Sequence, residues 1–371
     1  VISSICRPAA LAAWALGAAC LASAPMAEAR PPKHRAHSAG NAARVPAPGP
    51  LYGARDDVLR FAREAAAAEH TLNEAQVAEA LAGARYQPAV ARFIMPAATP
   101  SAKNWAAYRA RFVDARRIQA GLAFWQANEA WLRQAEARWG VPPQIVVAII
   151  GIETLYGQQT GGFRAIDALA TLSFDFPRGR SDRSAFFRDE LRHLLVLAER
   201  AGVDPASLRG SYAGAMGMPQ FMPSTWRQYA VDFDGDGRID LHSDAADVIG
   251  SVAGYLAGYG WQRGLATHFD VVPPAAGPDL AVLLGPDILP SFTAAEFEAR
   301  GAVLTPAGRA HPGLLALVEL SNGDAAPSHI AGTENFWAVT RYNWSSYYAM
   351  AVIELAQALD QAMSQRDTRV R

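Results

Sequence analysis

The sequence predicts a mainly α (α+β) fold, and three observations carry that prediction. Apolar and aromatic residues recur at spacings of three and four over much of residues 54–263, which is the period of a helix. One stretch, Val141–Gly157, is apolar on nearly every side, as in a helix buried in a core. From about Gly264 to Gly332 Pro and Gly become frequent and the apolar runs shorten, which marks a small mixed or β-rich insertion.

A chain of 371 residues has room for two or three domains, and its 51% hydrophobic and 19% charged residues are ordinary for a globular protein. A formal net charge of -1 offers no electrostatic case for a nucleic-acid partner. Residues 1–29 carry one Arg, an Ala-rich apolar run short for a membrane span, and Ala27-Glu28-Ala29 as a small-x-small cleavage site. They read as an export signal. Both cysteines, Cys6 and Cys20, lie inside it, so no disulfide or thiol chemistry is expected beyond it. Cys20 follows Gly17-Ala18-Ala19, without the Leu or Val expected three positions before a lipidated cysteine, which favours a soluble exported protein over a lipid-anchored one. Residues 30–50 are basic and rich in Pro, Ala and Gly, and read as a flexible spacer.

The elements follow in order. Residues 54–94 hold two or three short amphipathic helices, with Val58, Leu59 and Phe61, then Val77, Ala80 and Leu81, as apolar positions. A long helical pattern runs from about Asn104 to Gly140 with a stripe of Trp105, Tyr108, Phe112, Leu122, Phe124, Trp125 and Trp131. Such a stripe is usually core, although Trp and Tyr also serve as stacking surfaces for sugars. The apolar helix comes next, with Pro142 and Pro143 suited to its first turn and Gly157 to its end.

That helix carries a single carboxylate, Glu153. In apolar surroundings a carboxylate is expensive to ionise, so its pKa is expected to rise and the group can act as a general acid. The alternative is a structural carboxylate in the last turn that reaches solvent or pairs with an arginine. A Gly-rich turn over 157–162, a short helix around Ala165–Leu172, a basic loop over 177–183 and a helix from Ser184 to Ala201 follow. The basic loop, taken alone, is a solvated surface segment.

Residues 211–226, SYAGAMGMPQFMPSTW, break the helical period with two Gly, two Pro and three Met. Small residues around Ser211 and Gln220 suit a loop lining a polar ligand. Pro223 opens another helix. Asp232, Asp234 and Asp236, then Gly237, Arg238, Ile239 and Asp240, match the start of an EF-hand loop, with Arg238 placed to act through its carbonyl. Carboxylates this close repel unless a cation neutralises them; the other reading is a solvated acidic turn. Position 12 of that loop is Ser243 instead of Glu, so the distal ligand falls to Asp244 or Asp247. Such a site would brace the loop structurally. Runs at 280–284, 302–306 and 314–320 then look like strands or short helices, and a final helix starts near Ser345.

Five segments in this order, GIETLYG around Glu153, ALATLSFDFPR at 168–178, SYAGAMGMPQFMPST at 211–225, the acidic loop, and TRYNWSSYYAMAV at 340–352, resemble the lytic murein transglycosylases of the B type. The resemblance runs from about Trp105 to Leu359. It implies a lysozyme-like helical core with an accessory helical domain, divided as 51–135 for the N-terminal helical domain, 136–263 for the catalytic core, 264–335 for the β-rich insertion and 336–371 for the closing part of the core. It implies Glu153 as sole catalytic acid and base, cleaving the MurNAc-GlcNAc β-1,4 bond with the muramoyl C6 hydroxyl as nucleophile. Ser211, Gln220, Tyr255, Tyr342 and Asn343 would contact the sugar, Tyr108 would be an aromatic cleft position, and Arg178, ahead of Arg180 and Arg183, would meet the anionic part of muramic acid. In the acidic loop Asp232, Asp234, Asp236 and Arg238 carry over as calcium ligands, with Asp247 chosen as the distal one.

The same resemblance implies a structural Ca2+ and no organic cofactor. It further implies peptidoglycan glycan strands as partner, the cell-wall synthesis machinery as a candidate protein partner, no nucleic acid, a monomer, and a periplasmic location. Met218-Pro219 stands where such enzymes carry Tyr-Gly, a departure that touches the fine sugar contacts. The competing readings are a lysozyme-like muramidase that uses water as the nucleophile, and an inactive peptidoglycan-binding scaffold.

Overall fold

A computed structural model describes residues 48–53, 55–96 and 103–370, with side chains described to 366. The expected export signal, residues 1–29, and most of the expected spacer, residues 30–50, lie outside the described residues.

In chain order the first helices are α1 (Asp56–Ala68), α2 (Glu74–Ala82) and α3 (Pro88–Phe93), the three short helices expected there. The side chain of Asn73 starts α2 by accepting the amides of Ala75 and Gln76, and Pro88 sits at the first turn of α3 where its missing N–H costs nothing. The long pattern after Asn104 is three helices: α4 (Trp105–Arg109), α5 (Ala115–Ala127) and α6 (Glu129–Trp139). Capping residues interrupt it. Asp114 accepts the amide of Arg117 at 2.9 Å and starts α5, while Asn128 donates its side-chain N–H to Phe124 O at 2.9 Å and closes it. Trp105, Phe112, Leu122 and Trp125 are buried, so most of the aromatic stripe is core.

The apolar helix is α7 (Pro143–Thr154), with Val147, Ala148, Ile149 and Ile150 fully buried. A two-residue strand β1 (Phe163–Arg164) leads into α8 (Ala165–Phe174), and α9 (Ser184–Ala201) has the predicted bounds. The strand β2 (Arg209–Gly210) pairs antiparallel with β1. Then come α10 (Pro223–Tyr229) and α11 (Ala245–Gly258).

The segment with changed texture contains β3 (His268–Val272), α12 (Pro278–Leu284), α13 (Ala294–Ala299), β4 (Val303–Leu304), α14 (Pro306–Arg309), β5 (Ala316–Asn322) and β6 (Ala325–Gly332). Its four strands form one antiparallel sheet in the order β4-β3-β6-β5. The run at 280–284 is helical, and the apolar side of the sheet closes over Leu283, Phe297, Leu304, Leu315 and Leu317. The chain ends in α15 (Glu334–Thr340) and α16 (Ser346–Val370). The fold is mainly α with few strands, as expected. Among the described residues no helix is long and apolar enough to cross a membrane.

The described chain divides into two compact units, residues 103–148 with 255–370, and residues 48–96 with 149–254. The division falls inside α7 and α11. The first unit holds the sheet, α4–α6 and the C-terminal helices; the second holds α1–α3, the C-terminal end of α7 with Glu153, α8–α10 and the acidic loop.

Candidate active site

In the second unit α7 stops at Thr154, three residues before the Gly157 expected to end it. The reason is a left-handed turn made by Leu155 (φ 49°), Tyr156 (φ 57°) and Gly157 (φ 85°). Two non-glycine residues in that region cost of order 1–3 kcal/mol each and persist only where their surroundings hold them. Glu153 is therefore in the last turn of an apolar helix, half-buried between buried Ile152 and fully buried Thr154. The strained turn begins two residues beyond it.

The turn over 157–162 lies against the start of the 211–222 loop. Gly161 has φ 92°, and a Cβ there would meet Gly210 O at 2.3 Å, so this backbone approach is open only to glycine. The 211–222 loop is built from its own polar groups. Ser211 Oγ accepts the amides of Ala213 and Ala215, at 3.3 and 3.1 Å, and Met216 and Phe221 exchange both backbone hydrogen bonds. At its tip Gln220 sits at φ 52° and donates Nε2–H to Thr160 O at 3.1 Å and to Gly217 O at 2.9 Å. The loop that holds Ser211 and Gln220 is thus hydrogen-bonded to the turn that follows the Glu153 helix. Ser211 and the amide nitrogen of Gln220 shape the loop, a role that their residue types did not reveal.

Arg178 is exposed and lines a cavity of about 440 Å³ with Phe174–Pro177, Gly179, Arg180 and Asp182. Arg180 donates to Ile94 O, and Arg183 lies 4.6 Å over Phe186 and 5.6 Å over Phe187. Of the three arginines, Arg178 is the one turned to solvent.

The acidic loop folds onto its own amides. Asp232 accepts from Gly235 and Gly237, at 2.7 and 2.9 Å, Asp234 from Asp236 and Asp236 from Arg238. Asp244 is used as a helix cap: its Oδ1 accepts the amides of Ala246 and Asp247 at the start of α11. Asp247 is buried and turns back into the loop, with Oδ1 taking the amide of Phe233 at 2.7 Å and Oδ2 that of Asp240 at 2.8 Å. Burial pushes its pKa above the ordinary aspartate value. Oxygen atoms of Asp232, Asp234 and Asp247 come within 4.8 Å of one another, and Asp236 lies outside that cluster. Three hard oxygen donors at this spacing fit a divalent cation such as calcium.

The first unit carries the other expected residues. Tyr108 is half-buried among Trp105, Phe112 and Tyr347. Tyr255 is buried, and its hydroxyl donates to Arg341 O at 2.6 Å while its ring packs 4.8 Å from that of Tyr342. Tyr342 and Asn343 are half-buried in the turn between α15 and α16. Arg341 anchors that turn, its guanidinium lying 4.4 Å over Trp344, 5.0 Å over Trp337 and 5.3 Å over Tyr259.

Glu190 on α9 escaped the sequence reading. Its carboxylate accepts the Ser224 amide at 2.9 Å and the Ser224 hydroxyl at 2.6 Å, fixing the start of α10 directly after the 211–222 loop. Its position gave a signal: it falls on the apolar stripe of α9 with Phe187, Leu191 and Leu194, all buried. Burial pushes its pKa up to about 7. Because the folded-state value exceeds the unfolded one, the contribution of Glu190 to stability is complete below the ordinary glutamate pKa of about 4.5 and is lost as pH rises through about 7. Melting curves across that window should therefore show a fall in the wild type that Glu190→Gln removes; parallel curves for the two proteins would contradict the assignment.

Residues 54–357 match the family described as Transglycosylase SLT domain. The chain is 38% identical over 300 residues to the membrane-bound lytic murein transglycosylase B of Escherichia coli K12, covering 78% of this chain and 79% of that protein. Among solved structures, an Escherichia coli lytic transglycosylase in complex with calcium superposes with a TM-score of 0.74 at 35% identity, over 88% of this chain and 99% of the other. A Pseudomonas aeruginosa protein in complex with NAG-anhNAM-pentapeptide has a TM-score of 0.68 at 30% identity, over 81% of this chain and 78% of the other.

Proposed function

The chain belongs to the transglycosylase SLT domain family and is a lytic transglycosylase of peptidoglycan, and on that premise we propose that Glu153 is its single acid and base. The observation that carries this reading is the placement of Glu153. It is half-buried at the end of an apolar helix, where a bare charge is disfavoured, and a strained turn and the Gln220 loop hold that end. Glu153 protonates the glycosidic oxygen as the bond from the muramoyl anomeric carbon to that oxygen breaks. The resulting carboxylate then takes the proton of the muramoyl C6 hydroxyl, whose oxygen bonds to the anomeric carbon. The product is a 1,6-anhydro ring, and no water is consumed.

Gln220 has its amide protons on Thr160 O and Gly217 O, so its carbonyl oxygen is the end we assign to the sugar. The Ser211 hydroxyl, whose oxygen accepts two amides, is left to donate. Arg178 is assigned to a carboxylate of the muramoyl substituent, and Tyr108, Tyr255, Tyr342 and Asn343 to further glycan contacts. Asp232, Asp234 and Asp247 would hold a calcium ion, with Asp236 and the Arg238 carbonyl available to complete its shell. The ion supplies positive charge that lets these carboxylates stay together; the residues around it keep the loop folded. The relative in complex with calcium supports this choice of metal. A peptidoglycan substrate supports a periplasmic location for the enzyme.

Mass spectrometry of digested murein tests the reaction. Fragments ending in anhydromuramic acid are expected. Reducing muramic acid ends would make the enzyme a muramidase, and the absence of fragments would leave a binding scaffold.

A further inference from the structure

Thr154 follows Glu153 directly and is fully buried. Its hydroxyl oxygen accepts the amide of Gly157 at 3.0 Å, which closes the left-handed turn back onto the helix end. The hydroxyl proton has two carbonyls in range, Met218 O at 2.9 Å and Ile150 O at 3.4 Å. The shorter contact leaves the helix for the 211–222 loop, 64 residues away in sequence. The Met218 peptide is held on its other side too: its amide donates to Leu241 O at 2.7 Å, beside Gly217, where a Cβ would meet the same oxygen at 2.4 Å. One hydroxyl therefore ties the residue after Glu153 to a peptide that is itself anchored, two residues from Gln220.

We propose that Thr154 is a positioning residue for Glu153, holding the end of α7 at a fixed distance from the Gln220 loop through the Met218 carbonyl. The proposal rests on Glu153 being the acid. Without the hydroxyl, the part-buried Met218 carbonyl and Gly157 amide both lose a partner. The last turn of α7 is then free to settle against a different part of the loop. Proton transfer needs the acid within hydrogen-bond reach of the glycosidic oxygen, and displacements of about 1 Å are known to reduce rates by about 100-fold. Ground-state binding of the glycan, spread over many contacts, does not depend on that alignment.

The test is steady-state kinetics on soluble glycan strands prepared from murein, with rates normalised to the folded fraction from melting curves. Thr154→Val, which keeps the shape and removes the hydroxyl, is expected to lower kcat by roughly 10–100-fold with KM within about twofold of wild type. Thr154→Ser, which restores the hydroxyl, is expected to stay within about threefold of wild-type kcat. A residue that only stabilised the fold would lose folded fraction and keep its normalised kcat. Should Thr154→Val fail to fold, Thr154→Ala and Thr154→Ser differ by a single oxygen. A kcat ratio of about ten or more between them supports the proposal, and a ratio below about two overturns it. Glu153→Gln is measured in parallel. If it retains turnover, the acid assignment itself fails; if it is inactive while Thr154→Val matches wild type, only the positioning role is lost.

Discussion

Replacing Glu153 with Gln is expected to reduce turnover by about a thousandfold or more while leaving the protein folded and able to bind murein glycan. General acid–base catalysis by one positioned group contributes about 10²–10⁴-fold, and in the proposed route Glu153 acts in both proton transfers. The amide is nearly isosteric with the acid but cannot protonate a leaving oxygen. Glu153 is half-buried at a helix end whose buried packing is supplied by Val147–Ile150 and Thr154, so the substitution leaves that packing untouched. Release of anhydro-ended fragments and sedimentation with insoluble murein measure the two properties separately. Turnover near the wild-type level in the Gln variant would remove Glu153 from the chemistry, and loss of binding together with turnover would make it a substrate contact.

Calcium added to metal-stripped protein is expected to raise the melting temperature, and Asp247→Asn is expected to abolish the rise. At a concentration about 100 times the dissociation constant, binding to the folded state alone adds about 2.7 kcal/mol. For domains of this size that corresponds to roughly 5–10 °C. Asp247 is the residue to change because it does two things. It brings a carboxylate to those of Asp232 and Asp234, and it accepts the amides of Phe233 and Asp240 at the two sides of the loop. An Asn side chain has one acceptor oxygen, so one of those amides would face an N–H and the metal-free protein should melt lower as well. Asp236→Asn, which lies outside the carboxylate cluster, should keep most of the calcium response. An equal response in the Asp247 variant would remove Asp247 from the ligand set, and no response in wild type would count against a bound cation.

Much of the fold could be read because its signals are local. Helix α9 was read with its final bounds, and Pro223 opens α10, because apolar period and helix-start residues are written into neighbouring positions. The division of 104–140 into three helices was missed for the same reason in reverse. Asp114 and Asn128 carry capping groups that do not disturb the apolar period around them. At the site, Glu153 stood out as a carboxylate in an apolar helix, and the acidic loop as carboxylates in alternation. Thr154 and Glu190 did not stand out, since each works through a partner distant in sequence, Met218 O and Ser224.

The sequence by itself determined the helical class, the place of the apolar helix and the oxygen-rich chemistry of the acidic loop, because these depend on residue type and short-range spacing. It left the distal acidic ligand between Asp244 and Asp247. Tertiary structure separated them: Asp244 caps α11, and Asp247, one turn further on, faces back into the loop. It also decided where α7 ends. Leu155 and Tyr156 do not favour left-handed backbone, and they adopt it where the Thr154 hydroxyl and the anchored Met218 peptide hold the chain, a contact that exists only once the two segments have packed.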